Sequence, residues 1–177
     1  MLSSIEVIEG PLTLLGQFKV DCVIIGGVAA SLYGSTILTH DLDVCYARSP
    51  ENLKRLAEAL RSVNAKLRNA PADIPFILDD ETLRRGLNFT FSTTVGSLDL
   101  LGEVRGVGYY EDVISDSVAY DLFGYSFPVI EFEKLIVAKR TAGRGKDLLV
   151  LPELEAIRER HLKEATDEPQ EKTKSSE

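Results

Sequence analysis

The segment that most constrains the fold is GSTILTHDLDVCY, residues 34–46, because it places two acids inside a strand-like pattern. Asp41 and Asp43 alternate with Leu42 and Val44, and successive side chains of a strand point to opposite faces of a sheet. The spacing therefore predicts a strand with one apolar face and two carboxylates on the other. Like charges repel, and burying them unpaired is costly. The pair indicates either a strand edge that faces water or a site for Mg²⁺, which prefers carboxylate oxygens.

A pair of glycines precedes these acids. KVDCVIIGG, residues 19–27, is rich in β-branched residues and predicts a buried strand that ends in a tight turn at Gly26 and Gly27. VAASLYG, residues 28–34, predicts a short helix. Glycines at the start of a helix let a ligand approach the backbone, and free N–H groups there favour a phosphate. Taken alone, a Gly-Gly pair after a strand is more often a plain turn than a phosphate site.

The rest of the pattern predicts a mixed α/β (α+β) fold, with a sheet flanked by helices and two helices near the C-terminus. Residues 41–47 form the second predicted strand, and residues 49–63 form a helix that begins with a serine cap and a proline. The other predicted elements are a helical turn at 80–86, a hairpin of strands at 87–93 and 96–104, a short helix or turn at 109–117, one or two strands at 118–130, and helices at 131–143 and 145–162, with Pro152 kinking or breaking the last.

Asp99 is a lone acid within the apolar hairpin strand GSLDLLG. Such an acid caps a turn or faces solvent in many strands. If the hairpin lies beside the strand of Asp41 and Asp43, however, three carboxylates come together on neighbouring strands. That arrangement can hold two metal ions, as phosphoryl or nucleotidyl transfer requires.

Composition limits the class of protein. The 177 residues suit one domain, predicted over residues 1–162, and the polar segment 163–177 predicts a disordered tail. Hydrophobic residues make up 44% of the chain, and the net charge of −8 argues against a broad basic groove for nucleic acid. Two cysteines in apolar runs favour a reduced, cytoplasmic protein. The sequence shows no signal peptide and no apolar run of about 20 residues, so no membrane association is expected.

The order of these motifs resembles the signature of polymerase-β-type nucleotidyltransferases. Ile25-Gly26-Gly27 is followed after thirteen residues by Asp41-Leu42-Asp43-Val44, and a later strand carries Asp99. The C-terminal segment EFEKLIVAKRTAGRGKDLLVL is similar to the helical region of minimal nucleotidyltransferases of the toxin–antitoxin and abortive-infection (AbiEii-like) type. Its matching residues are Lys139, Arg144 and the pair Lys146-Asp147.

This resemblance implies transfer of an NMP from an NTP to an acceptor hydroxyl, on a tRNA 3′ end, a protein or a small molecule. It implies two Mg²⁺ ions, with Asp41, Asp43 and Asp99 as catalytic residues and metal ligands. It further implies control by an antitoxin protein. The residues that the resemblance assigns to the nucleotide phosphates are Gly26, Gly27, Lys139, Arg140, Arg144 and Lys146.

Three departures from the family pattern leave a second hypothesis open. Ile37 stands where a basic residue is common, Val150 replaces an acid three residues after the Lys-Asp pair, and Gly27 stands where the polymerase-type pattern often has serine. The first two differences favour a degenerate domain that binds a nucleotide or a partner without catalysis. The intact acids argue against it. A plain α/β domain whose motif arises by chance is the third hypothesis.

Three polar residues before the acids have no fixed role. The hydroxyls of Ser35 and Thr39 either hold the loop or contact a substrate, and the sequence favours loop fixing. His40 precedes Asp41 and is expected to be a loop residue, with a general base as the alternative.

Overall fold

The computed structural model describes residues 4–68, 70 and 76–167 of the 177-residue chain. The helices in these ranges are α1 (Ser4–Gln17), α2 (Gly26–Leu32), α3 (Pro50–Ser62), α4 (Asp80–Arg85), α5 (Tyr110–Ile114), α6 (Phe132–Ala142) and α7 (Gly145–Asp167). The strands are β1 (Cys22–Ile24), β2 (Asp41–Tyr46), β3 (Lys66–Leu67), β4 (Asn88–Thr93), β5 (Gly96–Leu101), β6 (Glu103–Val104), β7 (Gly108–Tyr109), β8 (Val118–Leu122) and β9 (Tyr125–Val129).

Within this part of the chain, a mixed seven-stranded sheet has the order β3-β4-β5-β2-β1-β9-β8. The central strand β2 is parallel to β5 and antiparallel to β1, and β1 is parallel to β9. β6 and β7 form a separate two-stranded ribbon. The fold class predicted from the sequence, a mixed sheet flanked by helices with helices at the C-terminal end, is confirmed.

The central strands are held by their apolar side chains. Leu42 and Val44 of β2 are fully buried, as are Leu98 and Leu100 of the neighbouring β5. The acids of these two strands lie at the alternate positions and are only partly buried. The alternation of apolar and acidic residues predicted a strand with two different faces, and the structure agrees. One face packs into the core, and the other carries the carboxylates.

A buried asparagine on α3 fixes the ends of the first two strands. The Asn52 amide donates to the carbonyl oxygens of Asp21 and Ala47, at 2.9 and 2.8 Å. Asp21 precedes β1 and Ala47 follows β2, so one side chain ties both strands to the helix. Helix α3 itself begins as predicted, with Ser49 as its cap and Pro50 at its first position.

Several elements differ from the sequence prediction. Helix α1 and the β6–β7 ribbon were not predicted. Residues 118–130, where one or two strands were predicted, form two strands that pair as a hairpin. Helix α2 begins at Gly26 rather than at Val28, because Ile25 is already extended and acts as its cap. None of the helices in the described ranges combines the length and the apolar character needed to cross a membrane.

The C-terminal helix extends beyond its predicted end. The predicted tail begins at Lys163, whereas α7 continues to Asp167. Lys163, Glu164 and Ala165 are strong helix formers, so backbone propensity favours continuing the helix here. Residues 168–177 lie outside the described residues, and the division of the chain into a domain and a tail stays a prediction.

Candidate active site

Strand register brings the three predicted acids together. Asp41 and Asp43 lie on β2 and Asp99 on β5, and Asp43 is directly paired with Asp99 in the parallel register. Asp41 pairs with Ser97, one step along the same face. We call Asp41, Asp43 and Asp99 the carboxylate cluster. Its close approach depends on two strands that are more than fifty residues apart in the sequence.

The sequence analysis missed the arginine that lies against this cluster. Arg68 Nη1 is 3.3 Å from Asp41 Oδ1, and Arg68 Nη2 donates to Asp99 Oδ1. The Arg68 backbone N–H donates to the carbonyl oxygen of Thr90 at 2.9 Å, and Thr90 is the register partner of Asp99. The contact is thus set by the pairing of strands, and the short segment around Arg68 carries no motif that could reveal it.

Burial and mutual repulsion make the cluster electrostatically costly. Burial, followed by the charge of Asp99, raises the pKa of Asp43 from 3.8 to about 6, although Lys146 and Lys139 act in the opposite direction. Burial also raises the pKa of Asp99, and Arg68 offsets part of that effect. Carboxylates that favour their protonated form need a cation before they ionise fully.

The donor set fits a hard divalent cation, but its present arrangement does not yet form a metal site. Three carboxylates supply the oxygen ligands that Mg²⁺ takes. As they stand, no three His, Cys, Asp or Glu side chains in the described residues are arranged to hold a metal ion. The guanidinium of Arg68 lies between Asp41 and Asp99 and serves as their counter-ion. A metal bound to these two acids would have to take its place.

The two glycines lie against the cluster and its loop. Gly26 has a left-handed φ of 67°, and a Cβ there would collide with the carboxylate of Asp43. A Cβ on Gly27 would lie 2.7 Å from Thr39 Oγ1. Ile25 offers no side-chain cap to α2, and the N–H groups of a first helical turn have no partner within the helix. The backbone N–H groups at the start of α2 therefore lie close to the acids and can donate hydrogen bonds to a ligand.

Two of the predicted basic residues form ion pairs with one buried acid, Asp147. Asp147 is 1% exposed and accepts from Lys139 Nζ at 2.9 Å and from Arg144 Nε at 2.7 Å. Burial alone would raise the pKa of Asp147, but these two hydrogen bonds lower it. We call Lys139, Arg144 and Lys146 the basic cluster. The sequence matched Asp147 only as part of a Lys-Asp pair, and the structure shows that it holds two of the predicted phosphate ligands.

Two neighbouring cavities share lining residues from the carboxylate cluster and the basic cluster. Asp43, Lys139 and Arg144 line both of them. The smaller cavity, 70 Å³, also contacts Gly27 and Lys146. The larger cavity, 320 Å³, also contacts Gly26 and has a mixed lining. Its apolar residues are Ile25, Leu101, Val104, Leu135, Ala138 and Ala142, and its further polar residues are Asn88, Glu103, Arg105 and Asp147.

Arg140 is not brought into this group. Its guanidinium pairs with Glu155 of α7 at 2.9 Å, and it is absent from the described residues that line the two cavities. The consecutive positions 139 and 140 of a helix point about 100° apart. Lys139 faces the site, and Arg140 lies on the outer surface.

The loop before the acids is held by a glutamate that the sequence analysis did not single out. Glu153 of α7 accepts from Ser35 Oγ at 2.6 Å and from the Thr36 backbone N–H at 2.8 Å. Thr39 Oγ1 donates to the carbonyl oxygen of Asp41 at 3.2 Å. These contacts support the loop-fixing role expected for Ser35 and Thr39. His40 is exposed.

The departures from the family pattern lie on the wall of the smaller cavity. Ile37 and Val150 both line it, where the family pattern would place a base and an acid. Glu153 lies one helical turn after Val150 and holds the same loop. Apolar side chains therefore stand at both positions, and the carboxylate that holds the loop lies one turn further along α7.

Comparison with solved structures identifies the fold. The chain is similar to a lincomycin-bound lincosamide antibiotic adenylyltransferase, LnuA, with 14% identity, 83% of this chain and 93% of that chain covered, and a TM-score of 0.54. An antigenic nucleotidyltransferase-like protein from Paracoccidioides brasiliensis matches with 14% identity, coverage of 93% and 89%, and a TM-score of 0.48. ANT(2")-Ia in complex with adenylyl-2"-tobramycin matches with 13% identity, coverage of 89% and 98%, and a TM-score of 0.47.

The similarity to LnuA shows that the chain has a nucleotidyltransferase fold. The fold that the sequence resemblance implies is therefore confirmed. No family model matches the sequence, and no curated protein does so.

Proposed function

We propose that this chain is a Mg²⁺-dependent nucleotidyltransferase that moves an NMP from an NTP to an acceptor hydroxyl. The observation that carries the proposal is the register pairing of Asp43 with Asp99, which gathers three carboxylates on one face of a nucleotidyltransferase-type sheet. A structural role does not account for them, because buried acids that repel one another cost stability.

Asp41 and Asp43 would hold both metal ions, and Asp99 would hold the catalytic one. When bound, the two ions supply neutralising charge to the transferring phosphoryl group and to the leaving pyrophosphate. The acceptor oxygen forms a bond to the α-phosphorus while the bond to the pyrophosphate oxygen breaks. Asp99 would accept the hydroxyl proton.

The smaller cavity suits the phosphates of the nucleotide. Gly27 borders it through the start of α2, and Lys139, Arg144 and Lys146 bring positive charge to it. Asp147 keeps Lys139 and Arg144 in place before any ligand arrives. Such preorganised charge costs no reorganisation when the ligand binds.

The larger cavity combines an apolar wall with the polar side chains of Asn88, Glu103 and Arg105, so it suits a small group with both an apolar surface and hydrogen-bonding atoms, and its volume of 320 Å³ is in the range of small-molecule sites. The acceptor hydroxyl belongs to a tRNA 3′ end, a protein or a small molecule, and LnuA is an example of the fold with an antibiotic bound. The sequence resemblance to toxin-type enzymes adds the proposal that an antitoxin protein controls the activity.

A non-catalytic domain of the same fold is the second candidate function. The contact of Arg68 with Asp41 and Asp99 favours it, because this arginine neutralises two of the acids without any metal. In that case a nucleotide or a partner protein would bind without turnover.

Labelled nucleotides separate the two candidates. The protein is incubated with each α-labelled NTP and Mg²⁺, together with total tRNA, a protein extract or a small-molecule extract, beside Asp43→Ala. Label that appears in one acceptor fraction and disappears with Asp43→Ala supports the enzyme. Mg²⁺-dependent NTP binding without transfer supports the non-catalytic domain, and absence of both contradicts the two proposals.

A further inference from the structure

Arg68 makes an ion pair that ties the edge of the sheet to the carboxylate cluster. Its guanidinium contacts Asp41 on β2 and Asp99 on β5 through different terminal nitrogens. Its side chain is 23% exposed, and the two acids are 29% and 16% exposed, so water screens the interaction only partly.

Within the described residues, Asp41 and Asp99 are the side-chain acceptors of the Arg68 guanidinium. Its Nε is buried and has no hydrogen-bond partner in the described part of the chain. A buried donor without a partner is costly, so the orientation is maintained by the two carboxylates at the other end of the group. The backbone is fixed separately by the bond to Thr90, which means that the side chain can leave the acids while β3 stays paired.

Arg68 and a divalent cation require the same oxygens. Asp41 Oδ1 and Asp99 Oδ1 are the acceptors of the guanidinium, and the same two carboxylates are the candidate metal ligands. A metal ion at these atoms would also be repelled by a guanidinium that stayed within a few ångströms. Binding of the cation at Oδ1 of either acid would therefore break the contact of that acid with Arg68, and binding through the second oxygen would still bring the ion close to the guanidinium.

We propose that Arg68 is an internal counter-ion that competes with the divalent metal for Asp41 and Asp99, and so sets the metal affinity of the site. The inference rests on the proposed function, because it requires the carboxylate cluster to bind a metal. Arg68 is a positioning residue in this scheme. It keeps the metal-free acids paired and weakens, without preventing, metal binding.

Direct binding of Mn²⁺ tests this proposal without any assay of turnover. Mn²⁺ takes the same carboxylate ligands as Mg²⁺ and is followed by electron paramagnetic resonance on the full chain. Arg68→Gln is expected to bind Mn²⁺ about tenfold more tightly than the unmodified protein, because hydrogen bonds between charged groups no longer have to be broken. Arg68→Lys, which keeps the charge but loses the fork, is expected to tighten binding by a smaller factor.

Arg55 provides the matched control. It pairs with Asp21 at 2.6 Å, and its Nε is also buried without a partner in the described ranges, but it lies on α3 outside the carboxylate cluster. Arg55→Gln is expected to leave Mn²⁺ affinity unchanged. A second readout is the rise in Tm on adding Mg²⁺, which should be larger for Arg68→Gln than for the unmodified protein.

The outcomes distinguish this inference from the proposed function. If the unmodified protein binds Mn²⁺ and Asp43→Asn abolishes that binding, the metal site exists. Equal or weaker binding by Arg68→Gln and Arg68→Lys then overturns the competition alone. If the unmodified protein and both Arg68 variants bind Mn²⁺ no more tightly than Asp43→Asn does, the metal site does not exist and both proposals are wrong. If Arg68→Gln does not fold, the tighter binding of Arg68→Lys decides the question.

Discussion

The two charged clusters on either side of the cavities are built in opposite ways. The carboxylate cluster has three acids and a single arginine beside them, and burial with mutual repulsion raises the pKa of Asp43 to about 6. The basic cluster surrounds Asp147, whose pKa falls because Lys139 and Arg144 donate to it. In the carboxylate cluster one cation in the described residues faces three acids, so the negative charge is only partly compensated, whereas in the basic cluster two cations share one acid.

The side chains of the carboxylate cluster serve ligand binding, whereas those of the basic cluster also stabilise the fold. A side chain with unrelieved repulsion can be neutralised without loss of stability, whereas a side chain at the centre of a buried ion pair cannot. Substitutions in the two clusters should therefore change activity and stability in different combinations.

The largest expected effect on activity follows Asp43→Asn. Loss of this carboxylate should reduce nucleotidyl transfer by roughly three orders of magnitude, the scale of removing a group that stabilises transition-state charge. The Tm should stay the same or rise, because repulsion with Asp99 is relieved. Transfer of labelled nucleotide and differential scanning calorimetry measure the two. Asp121→Asn on β8 is the control, and a large fall in the Tm of Asp43→Asn would contradict the comparison.

The largest expected effect on stability follows Asp147→Asn. It leaves Lys139 buried without its ionic partner, and truncating one member of a buried pair costs about 3–5 kcal/mol. Urea unfolding measures this change. The double variant Lys139→Met/Asp147→Leu should recover most of the stability while nucleotide binding stays weak. Similar losses in the single and double variants would show that Asp147 acts by another route.

The pH dependence of the metal-free protein should carry the signature of Asp43. Because its pKa is raised from 3.8 to about 6, the folded protein retains a proton that the unfolded chain has lost. That contribution to stability is present below the lower value and is lost as the pH rises through about 6. The difference in Tm between the unmodified protein and Asp43→Asn, followed across this interval, should shift in favour of the variant. A constant difference would mean that the pKa is not raised.

A smaller effect is expected where the backbone meets the carboxylate cluster. Gly26→Ala introduces a Cβ at a φ of 67° and against Asp43. Strain in the left-handed region costs about 1–2 kcal/mol, and displacement of Asp43 should lower transfer as well. Gly124→Ala is the matched control, since its φ of 83° is also left-handed but its Cβ meets open space. Both variants should lose stability, and only Gly26→Ala should lose activity.

The smallest effect separates two exposed cations of the C-terminal helices. Lys146 lines the smaller cavity and has no ion-pair partner in the described residues, whereas Arg140 pairs with Glu155 on the outer surface. Lys146→Ala should raise the KM for the NTP on the order of fivefold, as expected for one partly screened contact with phosphate. Arg140→Ala should change it less than twofold. Equal effects would place Arg140 at the nucleotide after all.

The sequence predicted correctly those elements whose formation depends on a few neighbouring residues. The alternation of acids with Leu42 and Val44 predicted a strand with a carboxylate face, and the Ser49-Pro50 start predicted α3. The motif order predicted the nucleotidyltransferase fold. These predictions held because side-chain period, capping and turn chemistry act over a few residues.

Tertiary structure decided which charges meet. Arg68 reaches Asp41 and Asp99 only because β3 pairs with β4 and β4 pairs with β5, and no short segment encodes that order. In the same way, the adjacent Lys139 and Arg140 look equivalent in sequence, but the packing of α6 against α7 directs one to Asp147 and the other to Glu155. The sequence by itself determined the residue types and the face that carries them. Distances between charges, and therefore their pKa values and counter-ions, depend on contacts between segments far apart in the chain.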